Sequence, residues 1–259
     1  MKRLRDAELE APQAKRFVIE DDDFEFDVND FPSDTLAAVQ SIAQTRNPKH
    51  VVLRHQVYTM VRNRTIVDRE LDKLRRNGKI RVFELPSIGR DCQGIMLTAD
   101  YASTVRGIIE EENKDSMRRV GERFLEILPK IPFSDVSRTK LLSLLGKTFQ
   151  SSPTSSISHL IRIGVLTRKG LSDYNVTIPD IGTFMVEIKK ARKEIISIIK
   201  KRMYREILQK ELEKMSLKKS RMSLKYHLMD LQGLQLLDFV ETNMGALVRI
   251  PKEDFKVKQ

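Results

Sequence analysis

One pattern occurs three times in the sequence and constrains the fold more than any other feature. A helical segment with a glycine near its end is followed by two short β-type runs joined by a turn, with predicted hairpins near residues 79–98, 165–179 and 236–251. A glycine after the last helical turn suits the left-handed backbone that often ends a helix. Because a further helix lies upstream, this order predicts an α+β, mainly α fold of three tandem winged-helix (winged helix-turn-helix) units.

The chain of 259 residues has room for three small units. The predicted boundaries are an N-terminal tail at 1–32, winged helix 1 at 33–112, winged helix 2 at 113–180, and winged helix 3 with a long basic helix at 181–259.

The first unit carries the clearest local signals. Helices are predicted at 34–45 and 55–61, and a third begins at the capping pattern formed by Thr65 and Asp68. Apolar residues at helical spacing predict the buried stripe of this third helix: Val67, Leu71 and Leu74. The cations off that stripe either face a phosphate backbone or form a solvated helix face.

The tail is acidic overall, with five Lys or Arg and ten Asp or Glu in residues 1–32, and we expect it to lack a fixed fold. Its basic clusters at 2–5 and 15–16 are typical of a bipartite nuclear import signal, or of scattered charge on a solvated tail. The acidic-aromatic run at 20–31 is a linker, a docking segment for a basic partner, or a segment that folds back on the chain's own basic face.

The basic charge lies in the C-terminal half of the chain. The formal net charge is +11, and residues 160–225 hold 17 Lys or Arg against 7 Asp or Glu. Such a surface attracts polyanions, because binding to DNA phosphates releases condensed counterions. One long helix, or two in line, is predicted at 182–215 and places Lys189, Lys193 and Lys200 on one face. The cations on and after this helix that we expect to contact DNA are Lys189, Lys190, Arg192, Lys193, Lys200, Lys201, Arg205, Lys214, Lys218 and Lys219.

The same helix carries an apolar seam at a spacing of four and three residues, formed by Phe184, Ile188, Ala191, Ile195 and Ile198. This seam either faces the chain's own core or forms the interface of a homodimer.

The residue patterns that catalysis requires are missing. The sequence has no G-x-G-x-x-G loop and no H-R-D, D-F-G or A-P-E motif, so the parts of a kinase that hold ATP and magnesium are absent. The four histidines show no metal-ligand spacing, and Cys92 is the only cysteine. No apolar run approaches the roughly 20 residues that span a bilayer. We therefore expect no enzymatic activity, no cofactor, no metal and no membrane partner.

Several blocks of the sequence resemble one known family, serine/threonine-protein kinase 19. The resemblance covers residues 35–252, and the blocks that carry it are 51–58, 63–71, 94–101, 158–160, 164–167, 204–206 and 226–231. It implies three winged helices that bind double-stranded DNA, despite the kinase in the family's name.

The resemblance also implies a nuclear, chromatin-associated role in transcription-coupled nucleotide excision repair, as a bridge between the RNA polymerase II repair assembly and the helicase-bearing general transcription factor. By position, the DNA contacts that it implies are Arg64, Lys190, Arg192, Lys200, Lys201 and Arg205. Val186 and Met203 stand where the family is expected to have lysine, which alters the detailed footprint.

These observations favour a sequence-independent duplex DNA-binding scaffold, because few Asn or Gln side chains are placed to read bases. The second unit, whose helix has few cations, is expected to touch DNA only through its hairpin tip, Arg168-Lys169, or to form a partner surface. The alternatives are a protein-interaction scaffold that binds no DNA, a serine/threonine protein kinase, and RNA instead of DNA as the ligand.

Overall fold

The structure is a computed structural model that describes residues 33–45, 48–89, 92–112, 114–131, 133–146 and 153–251. The predicted import signal and acidic run in the tail lie outside the described residues, as does the end of the chain from residue 252.

The described residues form an α+β fold with more helix than strand, as predicted. The α-helices are α1 (Asp34–Ala43), α2 (Arg54–Met60), α3 (Arg64–Arg76), α4 (Thr98–Glu111), α5 (Asp115–Ile127), α6 (Arg138–Leu145), α7 (Pro153–Ile163), α8 (Ile181–Lys200), α9 (Gln209–Glu213) and α10 (Leu224–Gly233). The strands are β1 (Val52–Leu53), β2 (Ile80–Glu84), β3 (Gln93–Leu97), β4 (Asp135–Ser137), β5 (Leu166–Arg168), β6 (Asp173–Val176), β7 (Glu206–Leu208), β8 (Asp238–Thr242) and β9 (Gly245–Arg249). Short 3₁₀ turns occupy Pro86–Ile88 and Leu128–Lys130.

The strands of the described region form three antiparallel sheets with the same strand order. These are β1-β3-β2, β4-β6-β5 and β7-β9-β8. In each sheet, a helix precedes the short first strand, and the second and third strands form a hairpin. Between the first and second strands, the described residues include two helices. All three hairpins lie within the ranges predicted from the sequence, so their positions are confirmed.

The helix α3 shows the predicted buried stripe but a different cap. Val67, Leu71 and Leu74 are buried, as expected. The predicted cap at Thr65 is wrong, because the side chain of Asn63 accepts the N–H of Ile66 at 3.2 Å. This bond satisfies one of the free N–H groups in the first turn.

Two of the three predicted helix-ending glycines have the left-handed backbone, with φ of +68° at Gly78 and +85° at Gly164. The third does not. Gly233 is the last residue of α10, and the left-handed position there is taken by Gln235. A Cβ at position 233 would collide with the carbonyl group of His55, so this glycine permits close packing of α10 on α2.

The apolar residues form a large core and a small one. The large core runs continuously from α1 through the first two sheets to Phe184 and Ile188 in the first half of α8. The small core lies under the third sheet and includes Ile195 and Ile199 from the second half of α8. The helix α8 therefore ties the third sheet to the rest of the fold.

The prediction of one long helix, or two in line, at 182–215 is wrong, because a strand interrupts this segment. The helix α8 ends at Lys200, a tight turn follows, and the chain continues into β7. Its buried stripe ends at Ile199, whereas the predicted Ile198 is only half-buried. Because side chains of this chain cover the stripe, it does not form the homodimer seam that was the alternative reading.

Candidate nucleic-acid interface

The helix α8 separates its apolar and basic residues onto opposite faces. At 100° per residue, Lys189, Lys193 and Lys200 fall within an arc of about 40°, on the side opposite the buried Ala191 and Ile195. All three lysines are exposed. The sequence-based prediction of a shared lysine face therefore agrees with the orientation of the helix.

Arg192 is not part of that face, and its prediction as a DNA contact is wrong. Its Nε and Nη2 donate to the two oxygens of the fully buried Asp230 at 2.7 and 2.8 Å, and its Nη1 donates to the carbonyl of Ile88 at 2.7 Å. The Arg192 side chain is only 12% exposed. Because Nε, Nη1 and Nη2 all donate to these inner acceptors, Arg192 presents little charge to a phosphate outside.

Asp230 also joins α10 to α2, because His55 Nε2 of α2 lies 2.7 Å from its Oδ1. Burial by itself would raise the pKa of this carboxyl, but the hydrogen bonds from His55 and Arg192 outweigh burial and hold the pKa below its usual value. The charge on Asp230 is therefore kept at neutral pH, inside the contact between α2 and α10.

The segment from 214 to 223 is fastened along one flank of α8. The backbone N–H of Lys218 donates to Glu194 at 3.1 Å, and Arg221 Nε donates to Glu187 at 3.0 Å. Lys190 lies on the same stripe of α8 as these glutamates, three residues after Glu187. The fold thus brings the lysines of this segment next to the helix.

The predicted cations that the structure exposes on α8 and beyond form what we call the α8 basic surface. Its members are Lys189, Lys190, Lys193, Lys200, Lys201, Arg205, Lys214, Lys218 and Lys219. In the turn that follows α8, Arg202 is also exposed, although it was not among the predicted contacts.

Arg64 is exposed on a different element, at the first residue of α3. Its guanidinium carbon lies 5.4 Å from the centre of the Tyr58 ring. Tyr58 OH in turn donates to Asp68 at 2.6 Å, and Arg54 Nη2 donates to the same carboxylate oxygen at 2.6 Å. The cation–π contact holds Arg64 at the amino end of α3.

A second row of exposed cations runs along α3, among the residues for which the sequence left open a phosphate-facing or a solvated role. Arg69, Lys73 and Arg76 follow at intervals of four and three residues, which places them on one face. Arg75 lies off this face, where its Nη2 contacts Asp72 at 2.9 Å and its guanidinium lies over the ring of Phe133.

One face of α10 is covered by α2 and is not free to enter a DNA groove. Gln56 Nε2 donates to the carbonyl of Tyr226 at 2.9 Å, and both residues are buried. Ser223 Oγ donates to the carbonyl of Thr45 at 3.1 Å. The helix that precedes the third hairpin therefore joins two parts of the fold and buries polar groups that could otherwise read bases.

The tip of the second hairpin is less basic than its sequence indicates. Lys169 Nζ lies 2.6 Å from Asp135, and this hydrogen bond raises the lysine pKa. The Lys169 charge is thus matched by Asp135, although both Arg168 and Lys169 of the predicted contact are exposed.

No group of three or more His, Cys, Asp or Glu is placed to hold a metal ion among the residues that the structure describes. In the same residues, no helix has the length and apolar character to cross a membrane. Cys92 is buried, and burial raises the pKa of its thiol, so the reactive thiolate is disfavoured.

Comparison with known proteins gives the family. The family described as inactive serine-threonine protein kinase 19 matches residues 25–250. A human protein named winged helix repair factor 1 is 32% identical over 203 residues, 78% of this chain and 77% of the relative. Its mouse counterpart is 30% identical over 202 residues, 78% of this chain and 76% of the relative. A protein of Schizosaccharomyces pombe named serine/threonine-protein kinase mug51 is 28% identical over 106 residues, 38% of this chain and 35% of the relative.

Proposed function

The chain belongs to the family described as inactive serine-threonine protein kinase 19, and we propose that it is a sequence-independent double-stranded DNA-binding scaffold that acts in nuclear DNA repair. The observation that carries this proposal is the α8 basic surface, nine cations of α8 and the two segments after it that are all exposed. Their shared sign, and the spread of the lysines along α8, suit the phosphate backbone of a duplex.

Phosphate contact accounts for these residues better than base reading does. Lysine and arginine dominate the surface. The helix before the third hairpin, α10, is the one expected to read bases in that unit, but one of its faces is buried against α2. Contacts to phosphates position a protein on DNA without distinguishing sequences. We therefore expect similar affinity for unrelated duplexes of equal length.

We further propose that each three-stranded sheet, with the helices around it, is one winged-helix unit, in the ranges 33–112, 113–180 and 181–259. The support is the repeated element order and strand order, together with the name of the human and mouse relatives. In such units the helix before the hairpin commonly approaches the major groove. Of the three helices that precede the hairpins, α3, α7 and α10, it is α3 that has the most exposed cations for that role.

The family resemblance supports a narrower proposal, transcription-coupled nucleotide excision repair. On this reading the protein partners are the RNA polymerase II repair assembly and the helicase-bearing general transcription factor. The relatives' name, repair factor, agrees with a repair role. The second sheet is a suitable protein-binding part, because one of the two cations at its hairpin tip is already paired with Asp135.

We propose that the protein has no kinase activity. The family is described as inactive, and the sequence lacks the motifs that place ATP and magnesium. A purely protein-binding scaffold is the remaining alternative.

Fluorescence anisotropy with the full chain and two labelled 25-base-pair duplexes of unrelated sequence tests the proposal. DNA binding predicts saturable binding of both with affinities within about threefold of each other. Absence of binding at low salt would favour the protein-only scaffold, and a large preference for one sequence would contradict the phosphate mechanism.

A further inference from the structure

The turn between α8 and β7 exposes two large apolar side chains. It consists of residues 201–205, and within it Met203 is 82% exposed and Tyr204 is 73% exposed. Large apolar side chains usually lose most of their exposure on folding, so two neighbours that remain this open are a candidate binding feature.

The turn is held at both ends, so this exposure is built into the fold. The N–H groups of Lys201 and Arg202 donate to carbonyls of α8, at 3.2 and 3.0 Å. The N–H of Arg205 donates to the carbonyl of Arg202 at 3.0 Å, and the Arg205 carbonyl accepts the N–H of Ile250 at 3.3 Å. Arg205 has a φ of +55°, in the left-handed region that non-glycine residues rarely adopt. Such strain persists where the surroundings impose it.

The surroundings of the two apolar side chains are cationic. Residues 200–205 read Lys-Lys-Arg-Met-Tyr-Arg, with no acidic residue, and all six are exposed. A ligand that fits here carries negative charge and presents a flat apolar surface. Single-stranded nucleic acid has both properties, because each unpaired base offers a face for stacking next to its phosphate.

An intact duplex does not offer these faces, since its bases are stacked on one another. Apolar side chains such as Met reach them only by wedging between base steps, whereas at an unpaired stretch they are already accessible. Because Lys200 is the last residue of α8, a ligand on the turn would be continuous with a duplex on the α8 basic surface.

We propose that the turn at 201–205 binds unpaired bases of DNA, with Tyr204 stacking on a base and Met203 packing beside it, where a duplex opens. The inference rests on the proposed DNA binding and adds its preferred substrate: DNA in which a duplex adjoins an unpaired stretch. The cations of the turn hold the phosphates of that stretch.

The test compares two probes of the same sequence, an intact duplex and the same duplex with a central four-nucleotide unpaired bubble that contains 2-aminopurine. The wild-type chain is expected to bind the bubble about tenfold more tightly than the duplex, and to quench 2-aminopurine fluorescence by stacking. Tyr204→Ala should bring the affinity ratio close to one and abolish the quenching, while affinity for the intact duplex stays within about twofold. Tyr204→Phe keeps the ring and should keep both effects.

Met244→Ala is the matched control, because Met244 is 75% exposed at the tip of the third hairpin, where residues 242–245 carry no charge. This variant should behave as wild type. The proposal is overturned if wild type shows no preference for the bubble, or if Tyr204→Ala retains the preference and the quenching. The second result would leave the turn as a protein-binding surface. If the chain binds the bubble through Tyr204 but does not bind the intact duplex, this inference stands and the proposed duplex binding is refuted.

Discussion

Arg192 and Asp230 form a two-pronged ion pair in which Nε contacts Oδ2 at 2.7 Å and Nη2 contacts Oδ1 at 2.8 Å, with the carboxylate fully buried. Asp230 also binds His55, so the pair joins α8, α10 and α2. Removing one member of a buried pair leaves the other charge without compensation, which is usually far more costly than replacing both.

The first prediction concerns the coupling within this pair. Arg192→Met and Asp230→Leu should each lower the free energy of unfolding by about 3 kcal/mol or more. The double variant should be at least about 1 kcal/mol more stable than additivity predicts. Urea unfolding of the four proteins measures the coupling.

The exposed pair Arg123 and Glu126, 2.6 Å apart, provides the control cycle. Its coupling should be about 0.5 kcal/mol or less, because solvent screens exposed pairs. Equal coupling in the two cycles, or additive losses at Arg192 and Asp230, would show that the buried pair does not join the elements as the geometry indicates.

The second prediction uses two helical glycines. Gly233→Ala should destabilise the protein by about 1–3 kcal/mol, because the added methyl meets the His55 backbone and this strain exceeds the roughly 1 kcal/mol gain in helix propensity. Gly107 in α4 has open space where the new methyl would lie, so Gly107→Ala should raise the free energy of unfolding by about 0.5–1 kcal/mol. Thermal melting measures both, and a stabilised Gly233→Ala would refute the close packing of α10 on α2.

The third prediction concerns pH. His227 is buried with its Nε2 2.8 Å from Ser220 Oγ, and burial lowers its pKa from 6.5 to about 4. Between those two values the unfolded chain takes up a proton that the folded chain does not. Stability is therefore lost as the pH falls from about 6.5 to about 4.

Lowering the pH from 7 to 4.5 should cost the wild type about 2 kcal/mol more than it costs His227→Gln. Urea midpoints at the two pH values give this difference. The exposed His50 is the control, and His50→Asn should show the wild-type loss, since asparagine tolerates the positive φ of +52° at that position. An identical loss in His227→Gln would show that this imidazole is not responsible for the acid sensitivity.

The sequence predicted the parts of the fold that depend on local pattern. The three hairpins were predicted from short apolar runs around turn formers. The left-handed backbone at Gly78 and Gly164 was predicted from their place at the end of a helix. Gly233 was assigned the same role because the sequence predicts α2 as a helix but gives no sign that its His55 packs against Gly233 after folding.

The errors in the candidate site have the same origin. Arg192 stands among lysines and looks like one more exposed cation, because its partner Asp230 is 38 residues away in sequence. The sequence gives no sign that α8 ends at Lys200, since Met203 continues the apolar spacing of Ile195 and Ile199, yet Met203 is exposed in the turn. Whether a residue at helical spacing is buried or exposed depends on tertiary contacts, which the periodicity of the sequence does not show.

The salt dependence of duplex binding, in wild type and in Lys200→Glu/Lys201→Glu, tests the central claim most directly. With about five phosphates neutralised, log affinity should fall with log salt at a slope of about −4 to −5 in wild type, and the variant's slope should be shallower by about 2. The variant should bind unrelated duplexes more weakly by similar factors and melt normally, because both lysines lie away from the buried stripe.

The control is Arg118→Glu/Arg119→Glu, which changes an exposed adjacent pair on α5 and should retain the wild-type affinity and slope. A Lys200→Glu/Lys201→Glu protein that melts normally and binds duplex DNA with wild-type affinity and slope would place the DNA contact elsewhere and contradict this account.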